Sequence, residues 1–112
     1  MDRELKEQLA KEILYYIASE RENTVEMDGF GDNYDENTYY LYTGNINYLI
    51  DFTSAYNGFI QDMIDNIEYE CKIKDIEGID VSKQDITLKI NGIETRIYVK
   101  DEWLKIRFME EK

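Results

Sequence analysis

The chain has 112 residues, a formal net charge of −12, no histidine, no proline and one cysteine. A hydrophobic fraction of 43% and an aromatic fraction of 13% argue against disorder, which combines high net charge with few aromatic residues. The length suits one domain, residues 1–112. Without histidine the chain lacks the usual general base and the commonest metal ligand. We therefore expect a folded acidic domain that is not an enzyme and needs no cofactor.

The sequence shows no sign of export or of membrane insertion. Residues 1–9 are too charged for the apolar part of a secretory signal, and no apolar run approaches a membrane-spanning length. The single cysteine, Cys71, cannot form an internal disulfide, which favours a reducing compartment. These features predict a cytoplasmic protein.

Two amphipathic helices are expected. In the first, over residues 2–21, apolar residues recur at three- and four-residue steps, and Asp2 is a suitable N-cap. The second is predicted over residues 45–67, with an apolar face and an opposite face rich in carboxylates. On that polar face Asp51 and Asp62 are separated by about three turns, so they should lie in line about 16 Å apart.

One strand pair and a loop are expected between these helices. Residues 38–43 are β-branched and aromatic, which predicts a strand paired with a short strand at 24–27. Residues 28–37 form a loop rich in glycine and acidic side chains. Residues 69–74 are either a further strand or the end of the second helix.

The clearest local pattern lies in the C-terminal third. Residues 85–90 and 93–99 alternate apolar and polar side chains around Asn91-Gly92, a dipeptide typical of a two-residue type I′ turn. A second turn leads to a third strand at 103–109, which completes a meander. The predicted class is α+β, with two amphipathic helices packed on a mostly antiparallel sheet. The register expected for the hairpin pairs Ile90 with Ile93, Leu88 with Thr95, and Ile86 with Ile97.

Two metal-binding patterns fit the sequence poorly. As an EF-hand calcium loop, the acidic loop places Phe30 or Tyr34 where an oxygen ligand is needed. The triplet Glu70-Cys71-Lys72 is an E-x-K element, as in one class of metal-dependent nucleases, but such sites also need an aspartate on a preceding strand. We therefore expect no metal site and no catalytic residues.

The carboxylates are segregated along the chain. Residues 22–71 contain eleven of them and no lysine or arginine, so this window supplies −11 of the net charge. A concentrated negative field suits a basic protein partner and disfavours direct nucleic-acid or membrane binding. Most tyrosines also lie in this window, and tyrosine is enriched at protein interfaces. The expected partner-binding residues are Asp28, Asp32, Tyr34, Asp35, Glu36, Tyr40, Tyr42, Asp51, Asp62, Asp65 and Glu68.

Along the predicted strand, Tyr40 and Tyr42 share one face, while Tyr39 and Leu41 share the other. One of these pairs is expected in the core, and the other beside the carboxylates. Carboxylates at helical or strand spacing lie about 5–7 Å apart, which is comparable to the spacing of successive phosphates.

In size, acidity and helix-plus-small-sheet build, the chain resembles phage-encoded DNA-mimic inhibitors, including anti-CRISPR proteins that block a guide-RNA nuclease. The resemblance is one of overall character, and no motif residue carries over. It implies a small inhibitor in the host-cell cytoplasm that occupies the groove where its target binds DNA.

Two other functions stay open on the sequence. An immunity protein that neutralises a basic toxin nuclease would use the same attraction between opposite charges. A small structural or interaction domain would carry the acidity only for solubility. An acidic surface disfavours self-association through that surface, so we expect a monomer.

Overall fold

In a computed structural model, two α-helices cover one face of a six-stranded antiparallel sheet, which confirms the predicted α+β class. The structure describes residues 1–21, 30–33, 37–42, 52–54 and 58–110. The helices are α1, Arg3–Arg21, and α2, Phe59–Cys71. The strands in chain order are β1 Phe30–Asn33, β2 Thr38–Tyr42, β3 Ile76–Ser82, β4 Asp85–Ile90, β5 Ile93–Lys100 and β6 Trp103–Phe108.

The sheet has the order β1-β2-β6-β5-β4-β3, so β6 joins the N-terminal strands to the C-terminal meander. The predicted meander is confirmed as β4, β5 and β6. Asn91 and Gly92 have φ values of 52° and 80°, as a type I′ turn requires. The hairpin register is the expected one, with Ile86 opposite Ile97 and the other predicted pairs in place.

The hydrophobic core lies between the helices and the sheet. The predicted cap of the first helix is present, because Asp2 Oδ1 accepts a hydrogen bond of 2.8 Å from the Leu5 backbone N–H. Of the two side-chain pairs on β2, the buried one is Tyr39 and Leu41. Fully buried side chains from all layers include Leu9, Ile13 and Ile17 of α1, Met63 and Ile67 of α2, and Ile86, Ile97, Leu104 and Ile106 of the sheet.

The prediction of one continuous second helix over residues 45–67 is wrong, although residues 43–51 and 55–57 lie outside the described residues. Phe52–Ser54 forms a turn of 3₁₀ helix, and Gly58 has a left-handed φ of 96°, a conformation that glycine adopts without a Cβ clash. The α-helix therefore begins only at Phe59, and it continues to Cys71. A single row of carboxylates from Asp51 to Asp62 on one helix is accordingly wrong, and Asp51 itself lies outside the described residues.

Two strands also differ from the sequence-based predictions. β1 forms inside the predicted loop, where the Phe30 ring packs between those of Tyr15 and Tyr39 at centroid distances of 6.2 and 6.0 Å. The strand predicted at 24–27 lies outside the described residues. β3 was not predicted, since it is an edge strand with mostly exposed side chains and a bulge that interrupts its alternation. Residues 69–71 of the ambiguous segment are the end of α2.

Candidate functional site

One face of α2 exposes carboxylates around a tyrosine. The helix buries Met63, Ile64 and Ile67, so its 3.6-residue period turns the intervening residues outward. The side chains of Asp62, Asp65, Glu68 and Tyr69 are all exposed, and α2 contains no lysine or arginine. We call these four residues the acidic helix face.

Tyr69 is the residue of this face that the sequence analysis left out. It follows Asp62 by seven residues, close to two turns, so the two side chains lie on the same side of the helix. Its side chain is 81% exposed, although a large aromatic ring usually buries much of its surface. Because residues 69–74 were predicted as either a strand or a helix end, the face on which Tyr69 lies could not be assigned. A helix that continues to Cys71 places Tyr69 on the same side as Asp62.

Local contacts set the positions of the neighbouring side chains. Asp62 lies in the first turn of α2, where the helix dipole favours negative charge. Gln61 Nε2 donates a hydrogen bond of 2.9 Å to Asp65 Oδ1 one turn later. The carboxylates of the acidic helix face therefore lie on a regular, well-packed helix rather than on a loop.

The N-terminal helix contacts α2 through polar side chains. Asn66 Nδ2 of α2 donates to Glu12 Oε2 at 3.3 Å, and Gln8 Nε2 donates to the Glu70 backbone oxygen at 3.1 Å.

Burial, with the nearby Glu12 and Glu70 carboxylates, raises the pKa of the Cys71 thiol to about 11. The thiol therefore stays protonated at neutral pH and is not a nucleophile.

The described residues of the predicted interface do not form one surface. Asp32 at the β1 edge forms an ion pair with Arg3 of α1, at 3.3 Å between Oδ2 and Nη2. Tyr40 and Tyr42 lie on the side of the sheet opposite the helices, because their neighbours Tyr39 and Leu41 point into the core. The carboxylates that remain together are Asp62, Asp65 and Glu68 on the acidic helix face. The other predicted residues are outside the described part of the chain: Asp28, Tyr34, Asp35, Glu36 and Asp51.

The second side of the sheet has a different character, which the sequence analysis missed. Outward side chains of β2, β5 and β6 combine aromatic rings with bases. The signal was present, since polar and aromatic residues alternate with the buried ones along β5 and β6. We call this surface the open sheet face; it consists of Tyr40, Tyr42, Arg96, Tyr98, Lys100, Trp103, Lys105 and Arg107.

No group of three or more cysteine, aspartate or glutamate side chains in the described segments is arranged to hold a metal ion. The Glu70-Cys71-Lys72 triplet is at the end of α2 rather than on a strand. Neither α1 nor α2 is long and apolar enough to cross a membrane. Comparison with protein-family models, with curated proteins and with solved structures finds no match to this chain.

Proposed function

We propose that the chain is a non-enzymatic inhibitor that binds a basic, nucleic-acid-handling protein through the acidic helix face. The observation that supports this proposal is the exposure of Asp62, Asp65 and Glu68 around Tyr69, on a helix without any base. The specific form we favour is an anti-CRISPR protein that blocks DNA binding by a guide-RNA nuclease.

The geometry suits a positively charged groove. Side chains three residues apart on a helix have Cβ atoms about 5–6 Å apart, which is close to the spacing of successive phosphates on one DNA strand, about 7 Å. Opposite charges across an interface speed association and fix orientation. The Tyr69 ring adds the large, rigid contact area typical of residues that dominate binding energy.

The test is inhibition of a panel of purified guide-RNA nucleases by the full chain. We expect the wild type to reduce target-DNA binding by one of them, and the variant Asp62→Lys/Asp65→Lys/Glu68→Lys to lose at least tenfold in potency. The matched control, Asp75→Lys/Glu77→Lys/Asp80→Lys, changes the net charge equally at exposed positions away from α2 and should inhibit like the wild type.

The interface is refuted if both triple variants lose potency equally, because net charge rather than the acidic helix face would then govern binding. Inhibition of none of the nucleases would reject the anti-CRISPR form. If the chain instead inhibits a toxin nuclease, with the same dependence on Asp62, Asp65 and Glu68, the target is a toxin nuclease and the acidic helix face is still the binding surface.

A further inference from the structure

The open sheet face carries a local positive charge on an acidic protein. Its bases are Arg96, Lys100, Lys105 and Arg107. The acids beside them are Glu94 of β5, Asp85, which pairs with Arg96, and Glu102, which accepts a hydrogen bond from the Tyr42 hydroxyl, so the local charge is 4 − 3 = +1. Arg96 is held by Asp85 of β4. None of the other three bases forms an ion pair with any residue in the described ranges, so their charge is available to a ligand.

Aromatic side chains lie beside these bases in rows across the strands. In one row Lys105 lies between Tyr40 and Tyr98 on the neighbouring strands. In the next row Trp103 lies between Tyr42 and Lys100. Rows on one face repeat about every 6.6 Å along a strand.

The rings form a fixed cluster. Trp103 makes edge contacts with both Tyr40 and Tyr42, each at a centroid distance of 4.9 Å. The Tyr42 hydroxyl donates a hydrogen bond of 3.1 Å to Glu102 Oε2. On the other side of Lys105, the Arg96 guanidinium lies 4.2 Å from the centre of the Tyr98 ring. Direct contacts therefore hold these side chains against one another.

We propose that the open sheet face binds a short stretch of single-stranded nucleic acid. Each nucleotide of such a strand supplies a planar nucleobase and a phosphate, which match the aromatic rings and the basic side chains of the surface. An antiparallel sheet whose exposed aromatic side chains stack on nucleobases is an established geometry for single-strand recognition. An acidic peptide would satisfy the bases but would offer the rings no planar partner, and a duplex hides its base faces.

The negative net charge of the chain does not prevent the open sheet face from binding nucleic acid. The acidic helix face lies on the opposite side of the sheet, and the shortest extent of the molecule is 22 Å. Ionic screening at physiological salt acts over about 8 Å, so the two surfaces act nearly independently. The proposal consequently does not depend on the inhibitor function, and either can fail alone.

The experiment titrates the full chain with labelled oligo-dT and oligo-rU of about 12 nucleotides, following anisotropy and the fluorescence of Trp103, the only tryptophan. We expect binding with quenched Trp103 emission. If the surface neutralises about three phosphates, a fourfold increase in salt concentration should weaken the affinity roughly 20-fold. Comparing the two oligomers decides between DNA and RNA as the preferred strand.

The variant Lys100→Gln/Lys105→Gln/Arg107→Gln should weaken binding at least tenfold. The matched control Lys72→Gln/Lys74→Gln/Lys83→Gln removes the same number of positive charges at exposed positions elsewhere and should bind like the wild type. If the first variant melts early, Lys100→Gln/Arg107→Gln alters only the two exposed positions and leaves the half-buried Lys105 in place, and it should still weaken binding. For the rings, Tyr42→Ala should weaken binding and Tyr69→Ala should not.

Three results would overturn the proposal. The first is no change in anisotropy or Trp103 emission at low salt. The second is an equal loss in the Gln variant and its matched control. The third is binding of poly-glutamate or duplex DNA as tight as that of the single strands, which would assign the surface to an acidic protein segment or to nonspecific charge.

Discussion

Trp103 of β6 lies directly opposite Tyr42 of β2, and their ring centroids are 4.9 Å apart with planes inclined at 64°. This contact connects the strand at the end of the chain to a strand from its acidic half. It also makes the single tryptophan a reporter of the open sheet face.

Replacing Tyr42 by alanine should therefore shift the emission of Trp103 and lower the free energy of unfolding by about 0.5–1.5 kcal/mol, the usual value of an aromatic pair. Tyr69→Ala is the control, because the exposed Tyr69 side chain should contribute less than about 0.5 kcal/mol. Urea unfolding followed by circular dichroism measures both. Equal losses in the two variants would contradict the assigned packing.

Gly31 of β1 leaves room for the Tyr40 ring. A Cβ at this position would lie 2.6 Å from the Tyr40 hydroxyl oxygen and 2.7 Å from Cζ. Gly31→Ala should displace that ring and change Trp103 emission, because Tyr40 also contacts Trp103. A double-mutant cycle with Tyr40→Ala should give non-additive changes in unfolding free energy; simple additivity would show that the two residues do not touch.

Arg96 donates two hydrogen bonds to the Asp85 carboxylate, at 2.8 and 2.6 Å. Both side chains are partly solvated, 42% and 32% exposed, so screening limits the pair to about 0.5–1 kcal/mol in spite of its bidentate geometry. We expect this coupling energy from a cycle of Arg96→Gln and Asp85→Asn, and we expect it to fall as salt rises. A coupling that salt leaves unchanged would mean that packing rather than charge joins the pair.

The β4–β5 turn depends on Gly92, whose φ is 80°. Gly92→Ala should cost about 1 kcal/mol or more of stability, because a Cβ disfavours positive φ. Asn91→Gly should be close to neutral, since glycine accepts the Asn91 φ of 52°. Chemical denaturation of both variants tests the turn, and an equal effect of the two would argue against the type I′ geometry.

The Cys71 pKa gives a pH dependence with a definite sign. It is raised in the folded protein from 9.0 to about 11, so folding favours the neutral thiol. Its contribution is fully present below pH 9 and is lost as the pH rises towards 11. Thiol labelling at pH 8 should therefore be slow in the native protein and fast in denaturant, while Cys71→Ala should flatten the loss of stability above pH 9. Rapid native labelling would contradict the burial.

The meander was predictable because several local signals agree there. Alternation, β propensity and the Asn91-Gly92 turn all select one register, and the register is the observed one. The start of the second helix was not predictable, because the apolar spacing continues through 45–58 in the sequence. The left-handed Gly58 separates that stretch from α2. Periodicity alone does not show where one helix ends and a different element starts.

The candidate site was predictable only in part, and for a spatial reason. Counting charge along the sequence placed Tyr40 and Tyr42 with the carboxylates of residues 22–71. Pairing of β2 with β6 instead places them beside Trp103 and Lys105 from the far end of the chain. Which strands become neighbours depends on tertiary packing that no local pattern encodes.

On the proposed function, the acidic helix face occupies the groove where a nuclease binds DNA. The most direct measurement is the affinity of the chain for guide-RNA nucleases, determined with increasing target DNA. We expect the apparent Kd to rise in proportion to the DNA concentration, because Asp62, Asp65 and Glu68 compete with phosphates for the same bases. A ternary complex with unchanged affinity would contradict the claim.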